Sequence, residues 1–166
     1  LKTSIDLSVL FRCALDYTLP VKVLLVQPPI EDFYDTSIRT YPLALLYLAA
    51  AIRDVCDVSV ADLRSNRSPR AIKDQPFPEL RRYYRDDHYS PFSLFRRYYR
   101  FGADGGEIEA AIRQRAPDVV AVTSSYTTYS LEALEAAKIA KKVSSDIITV
   151  MGGTHPTLFP LQPLEP

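Results

Sequence analysis

Four short apolar runs, set apart by helical periods, constrain this chain more than anything else in it: "VKVLLVQ" (Val21–Gln27), "CDVSVADL" (Cys56–Leu63), "DVVAVTS" (Asp118–Ser124) and "DIITVMGG" (Asp146–Gly153). The first is a nearly continuous block of Val and Leu stopped by Pro28-Pro29. Such a block reads as a strand buried on both faces, the habit of parallel sheets. Between the first two runs lies "PLALLYLAAAIRD" (Pro42–Asp54), with Pro in its first turn and apolar residues nearly all round. It predicts a helix packed on more than one side. Strand, helix and strand within about 40 residues make a right-handed, parallel βαβ unit.

The rhythm breaks from Arg64 to Gly102, which is rich in Arg, Tyr and Pro and carries the near-repeats "ELRRYYRDD" and "LFRRYYRFG". Short helices or an irregular insertion are expected there. It then returns. "GGEIEAAIRQRA" (Gly105–Ala116) predicts an amphipathic helix ended by Pro117, and "SLEALEAAKIAKKV" (Ser130–Val143) predicts another, with Ser130 as its N-cap. The sum is a doubly wound, flavodoxin-like (Rossmann-like) α/β domain with strand order 2-1-3-4, a fifth strand not being reached. The expected organisation is a leader or peripheral segment over 1–20, the α/β domain over 21–160 with its insertion at 64–102, and a linker over 161–166.

Composition excludes several classes. The chain has 166 residues with 20 basic and 20 acidic side chains. That balance argues against general nucleic-acid binding, which needs excess positive charge. The Arg-Tyr pairs of the insertion can be read as stacking on single-stranded nucleic acid, and a rival function is a non-catalytic α/β module that binds a nucleotide-like ligand or a partner there, weakened by changing Arg81, Arg82, Arg96 and Arg97 to Ala. The neutral total favours the alternative, in which Tyr packs on the body and Arg pairs with acids. Cys13 and Cys56 are too few and too far apart for a disulfide framework or a zinc motif, so a reducing cytoplasm is expected. No apolar run approaches the roughly 20 residues of a membrane span.

In doubly wound folds, ligands bind beyond the carboxyl ends of the strands, at the switch in strand order. This places a site before any motif is read: Pro28–Tyr41, Ser124–Tyr129 and Gly152–His155. The third strand ends in "TSSYTTY", where Thr123, Ser124, Ser125 and Thr127 offer small hydroxyls to a ligand. Gly152-Gly153 removes side-chain bulk at the fourth strand end and frees amides before a helix start. His155 fits a ligand-contacting or capping role, since no Cys, Asp or Glu cluster lies beside it in sequence. There is no P-loop, no G-x-G-x-x-G after a strand, no G-x-S-x-G elbow and no nucleophile with its base.

Three stretches carry a resemblance: "VLLVQPPI…RTYPLALLYLAAAI", "YYRFG…EIEAAIRQRAPDVVAVTSSYTTYSLEALEAAKIAK" and "VMGGTHPTLFP". Together, from about Val21 to Pro160, they resemble the N-terminal cobalamin-binding domain of B12-dependent radical SAM enzymes. The resemblance implies cobalamin held against the carboxyl ends of the strands. It implies contacts from Thr123 to Ser125, Thr127, Gly152, Gly153 and His155, and from the first loop through Pro29, Tyr34 and Arg39. The first loop has no His, so the D-x-H-x-x-G motif is absent and cobalamin is expected without a protein ligand to cobalt. The family's radical SAM domain carries C-x3-C-x2-C for a [4Fe–4S] cluster and binds S-adenosylmethionine. Cys13 and Cys56 cannot supply that cluster, so both groups and that partner domain are expected downstream. The function implied is the cofactor-holding part of a radical SAM enzyme such as a methyltransferase.

Overall fold

A computed structural model describes residues 20–33, 40–65, 67–73, 76–83 and 97–164. Its main sheet has four parallel strands. β1 is Lys22–Gln27, and the short β2 (Ile30–Asp32) follows the Pro28-Pro29 turn. β3 is Asp57–Asp62, β4 is Arg70–Ile72 and β5 is Tyr98–Phe101. β6 is Val119–Thr123 and β7 is Ile148–Gly152. The order β3-β1-β6-β7 reproduces the expected 2-1-3-4 switch, with β1 between strands that wind away in opposite directions.

Helix α1 (Leu43–Ile52) joins β1 to β3, α2 (Gly105–Arg115) precedes β6, α3 (Ser130–Val143) joins β6 to β7, and α4 (Thr154–Leu158) follows β7. Right-handed crossovers put α2 and α3 together on one face and α1 on the other. The core lies under α2 and α3: Leu24 and Val26 of β1 and Val120 and Val122 of β6 meet Ile108, Ile112, Ala133, Ala136 and Ala140. Burying a side chain such as Ile108 or Ile112 contributes about 1.5–3 kcal/mol. The three alanines bring α3 close to the sheet.

Local chemistry sets the helix ends. Asp104 accepts the Glu107 N–H at 2.9 Å while Glu107 accepts the Asp104 N–H at 2.8 Å, a reciprocal cap that satisfies two otherwise orphaned donors. Ala116 closes α2 in the left-handed conformation, φ 41°, just before Pro117. Ser130 is not the cap of α3. A short 3₁₀ turn over Thr127–Tyr129 runs into the helix, so Ser130 already lies inside it and Tyr129 takes the cap position without a side-chain bond.

Two further expectations are corrected. Helix α1 is not packed on several sides among the described residues: Leu45 is buried, but Leu43, Leu46, Tyr47 and Leu48 are exposed. The same side of the sheet is open at β7, where Ile148 and Val150 are exposed. The insertion is also more regular than expected. Beside a 3₁₀ turn at Pro78–Tyr83 it contributes β4 and β5, which join β2 in a second, antiparallel sheet of order β2-β5-β4. This small sheet stands at the carboxyl end of β1.

Candidate functional site

The carboxyl ends of β1, β3 and β6 and the start of α1 enclose a cavity of 240 Å³. It is lined by Gln27 and Pro28 of the first strand end, Thr40 to Leu45, Arg64 after β3, and Thr123, Ser124, Ser125, Tyr126 and Tyr129. Whole-ligand pockets usually run to about 300–1,000 Å³. This one is smaller than that range.

Ser124 is the most constrained of the hydroxyl residues. It is 3% exposed, its N–H donates to Gly152 O at 2.7 Å, and its carbonyl accepts the His155 N–H at 3.1 Å. Its Oγ has no hydrogen-bond partner. A buried hydroxyl without a partner costs about 1–3 kcal/mol, which a ligand acceptor or donor in the cavity would recover. Thr123 Oγ1 and Ser125 Oγ are 3.5 Å apart at the rim.

The two glycines do different work. Gly153 has φ 117°, and a Cβ there would lie 2.6 Å from Ser124 O, so glycine is required by the fold itself. A Cβ on Gly152 would meet nothing within 4 Å. Gly152 pairs with Thr123 across the sheet and presents open space at the strand end.

The structure divides the residues singled out from sequence. Thr123, Ser124 and Ser125 meet at the cavity, with Gly152 and Gly153 hydrogen-bonded or packed against Ser124. His155 and Thr127 form a separate pair. His155 is 2% exposed, its Nδ1 stands 3.3 Å from Thr127 Oγ1, and its ring lies 5.6 Å from that of Phe159. It borders a small crevice with Leu131, Leu134 and Met151 and does not line the main cavity. Pro29 is buried beneath the cavity, 3.0 Å from where a Cβ on Gly102 would sit. Tyr34 and Arg39 lie outside the described residues, as do residues 1–19, the end of the first Arg-Tyr repeat and the first three residues of the second.

Arg64 is the residue the sequence reading passed over. Asp62 Oδ1 accepts the N–H groups of Arg64 and Ser65 at 3.0 and 3.1 Å, a turn that carries Arg64 from the end of β3 into the cavity wall. Its Nε donates to Pro28 O at 3.2 Å. Burial lowers its pKa from the ordinary arginine value, and the charges of Asp62 and Glu132 work against that shift. A cation one or two residues past a strand of a doubly wound sheet was the available signal.

Behind this wall the small sheet is bolted to α3. Arg100 reaches Glu31 Oε1 at 2.8 Å and Glu135 Oε2 at 2.7 Å, and its Nε donates to Ala103 O at 2.8 Å. Glu132 Oε1 accepts the Glu31 N–H at 3.0 Å, while Oε2 is buried with no partner. Burial raises the Glu132 pKa, helped by the Glu31 charge. Burial, then the charges of Glu132, Glu31 and Asp32, push the Tyr98 hydroxyl up to about 12. Tyr129 donates to Asp32. Arg67 and Arg70 both reach Glu107, and Arg70 also reaches Asp104. For Arg67, Arg70 and Arg100 the pairing with acids therefore holds. Arg82 stacks 4.9 Å over Tyr83.

The cavity offers small hydroxyls, an orphan buried Oγ and one cation, chemistry that suits an amide-rich ligand. Among the described residues no group of three His, Cys, Asp or Glu side chains could hold a metal ion. No helix of the described residues is long and apolar enough to cross a membrane.

Comparison with known proteins agrees with this chemistry. The chain is 28% identical over 142 residues to a Pyrococcus horikoshii protein described as an uncharacterized methyltransferase, covering 84% of this chain and 23% of that one. It is 28% identical over 141 residues to the cytidylyl-2-hydroxyethylphosphonate methyltransferase of Streptomyces wedmorensis, again 84% of this chain and 23% of the relative. The chain thus spans under a quarter of the length of these relatives. No solved structure matches it significantly. Residues 97–165, which run from β5 through both hydroxyl and glycine loops, match the B12 binding domain family.

Proposed function

We propose that this chain holds cobalamin for methyl transfer within a B12-dependent radical SAM enzyme. The observation that carries the reading is Ser124, which lines the cavity at the end of β6, whose buried Oγ lacks a partner and whose N–H donates to Gly152 O. Bound cobalamin would supply a cobalt centre that carries a methyl group; the protein's part is binding, orientation and exclusion of water. Ser124 and Thr123 would hydrogen-bond the buried arm. Gly152 would let the ligand lie against backbone. Gln27 and Arg64 would close the far wall. Cobalt would have no histidine from the first loop, which contains none. The [4Fe–4S] cluster and S-adenosylmethionine belong, in this reading, to a domain outside these residues. The short coverage of the methyltransferase relatives is consistent with that division.

Titration with hydroxocobalamin, followed by its visible spectrum and by retention through gel filtration, tests the reading. Wild type should retain the corrinoid. Ser124→Val should fold, since it removes an orphan hydroxyl, yet bind about tenfold or more weakly. Absence of retention by wild type, also in a protein extended to the length of its relatives, would sink the proposal.

A further inference from the structure

Arg64 stands out once every charged group near the cavity is followed to its partner. The other well-placed arginines are spent: Arg100 on Glu31 and Glu135, Arg70 on Asp104 and Glu107, and Arg67 on Glu107. Arg64 is half-buried and lines the cavity, and its one hydrogen bond among the described residues uses Nε. The Nη groups make none. The nearest carboxylate, Asp62, directs Oδ1 to two backbone amides rather than to the guanidinium. Glu132, the other acid acting on it, hydrogen-bonds the Glu31 amide.

A partly desolvated guanidinium whose Nη groups no carboxylate hydrogen-bonds is costly, even with the charges of Asp62 and Glu132 acting on it, and its planar donors match a phosphate oxygen pair. The unpartnered Ser124 Oγ lines the same cavity and supplies a second, independent donor. The cavity's 240 Å³ admits a phosphate-bearing arm and no whole corrinoid. We propose that Arg64 is the anion-binding residue of this site and that it grips the phosphodiester of the cobalamin nucleotide arm. This rests on the cobalamin reading for the identity of the ligand, and on the Arg64 and Ser124 geometry for the anion.

The test compares full-length wild type, Arg64→Gln and Arg64→Lys. Each is titrated with hydroxocobalamin, with cobinamide phosphate, with cobinamide, which lacks the phosphate, and with inorganic phosphate observed by phosphorus NMR. Thermal melts establish that each variant folds. Arg64→Gln should weaken hydroxocobalamin and cobinamide phosphate about tenfold or more and leave cobinamide within about twofold. Arg64→Lys should recover part of the loss, keeping charge without the fork. Wild type should bind inorganic phosphate and Arg64→Gln should not. Equal weakening of all three corrinoids, or no weakening of any, would overturn the assignment. If wild type binds no corrinoid, the cofactor reading fails and the phosphate arm decides alone: Arg64-dependent binding upholds the anion site, and its absence removes it.

Discussion

Gly153 lies against the backbone of Ser124 so closely that a Cβ would stand 2.6 Å from the Ser124 carbonyl oxygen, the atom that also accepts the His155 N–H. One carbonyl thus fixes the turn after β7 and the entry of α4. With φ at 117°, Gly153→Ala adds strain to that clash and should destabilise the fold by about 1–3 kcal/mol. Gly152→Ala meets no atom within 4 Å and should leave the melting temperature nearly unchanged. If Gly152→Ala nevertheless weakens corrinoid binding, the open space belongs to the ligand. Equal melting temperatures for the two variants would contradict the assigned roles.

The reciprocal cap of α2 gives a second expectation. Asp104→Ala removes the acceptor for the Glu107 N–H and one partner of Arg70, and should lower the urea midpoint. Asp104→Asn keeps an acceptor and should cost less. The Glu107 and Arg70 bonds hold the Asp104 carboxyl below its ordinary range. Its contribution is therefore present above that range and lost as pH falls through the lowered value.

Glu132 works in the opposite sense. Burial raises its folded pKa, so the folded chain holds this proton more tightly than the unfolded one. Stability from this group is full below the ordinary glutamate range and is lost as pH rises through the raised value. Glu132→Gln retains an acceptor for the Glu31 N–H and removes the charge. Urea unfolding from about pH 4 to about pH 8 should show a variant that gains on wild type as pH rises. A constant difference across that window would mean that Glu132 does not titrate differently on folding.

Arg100 bridges β5 to Glu31 of β2 and Glu135 of α3 with a side chain only 14% exposed. Arg100→Met leaves two carboxylates without their cation and should cost on the order of 2 kcal/mol. Arg100→Lys should restore little, because one ammonium cannot span both acids and the Ala103 carbonyl. Amide exchange would localise the loss: protection should fall first in Ile30–Asp32 and Tyr98–Phe101. Uniform loss across the main sheet would argue against the bolt.

Much of the fold was legible because its signals are local. Val23 to Val26 and Val119 to Val122 declare buried parallel strands by composition, and Asp104, Glu107 and Pro117 mark the ends of α2 within a few residues. The switch rule then put Thr123, Ser124, Ser125 and Gly152-Gly153 at one edge, and the structure brings them together. What sequence alone determined was the alternation of strands and helices, and with it the edge at which a doubly wound sheet is expected to take a ligand.

Tertiary structure decided the rest. Residues of β2 and β5 are about 70 positions apart, and nothing local in "IED" or "YYRF" names the other as partner, since pairing over such a separation is settled by packing rather than propensity. His155 reads from its neighbours as a ligand-contacting or capping histidine, and only the fold shows its ring beside Thr127 and Phe159 with its amide on Ser124 O. Arg64 reads as one arginine among many in a basic insertion. Only the folded arrangement commits Arg67, Arg70 and Arg100 to Glu31, Asp104, Glu107 and Glu135 and leaves Arg64 at the cavity wall, because ion pairing is a property of positions in space and not of the order of residues along the chain.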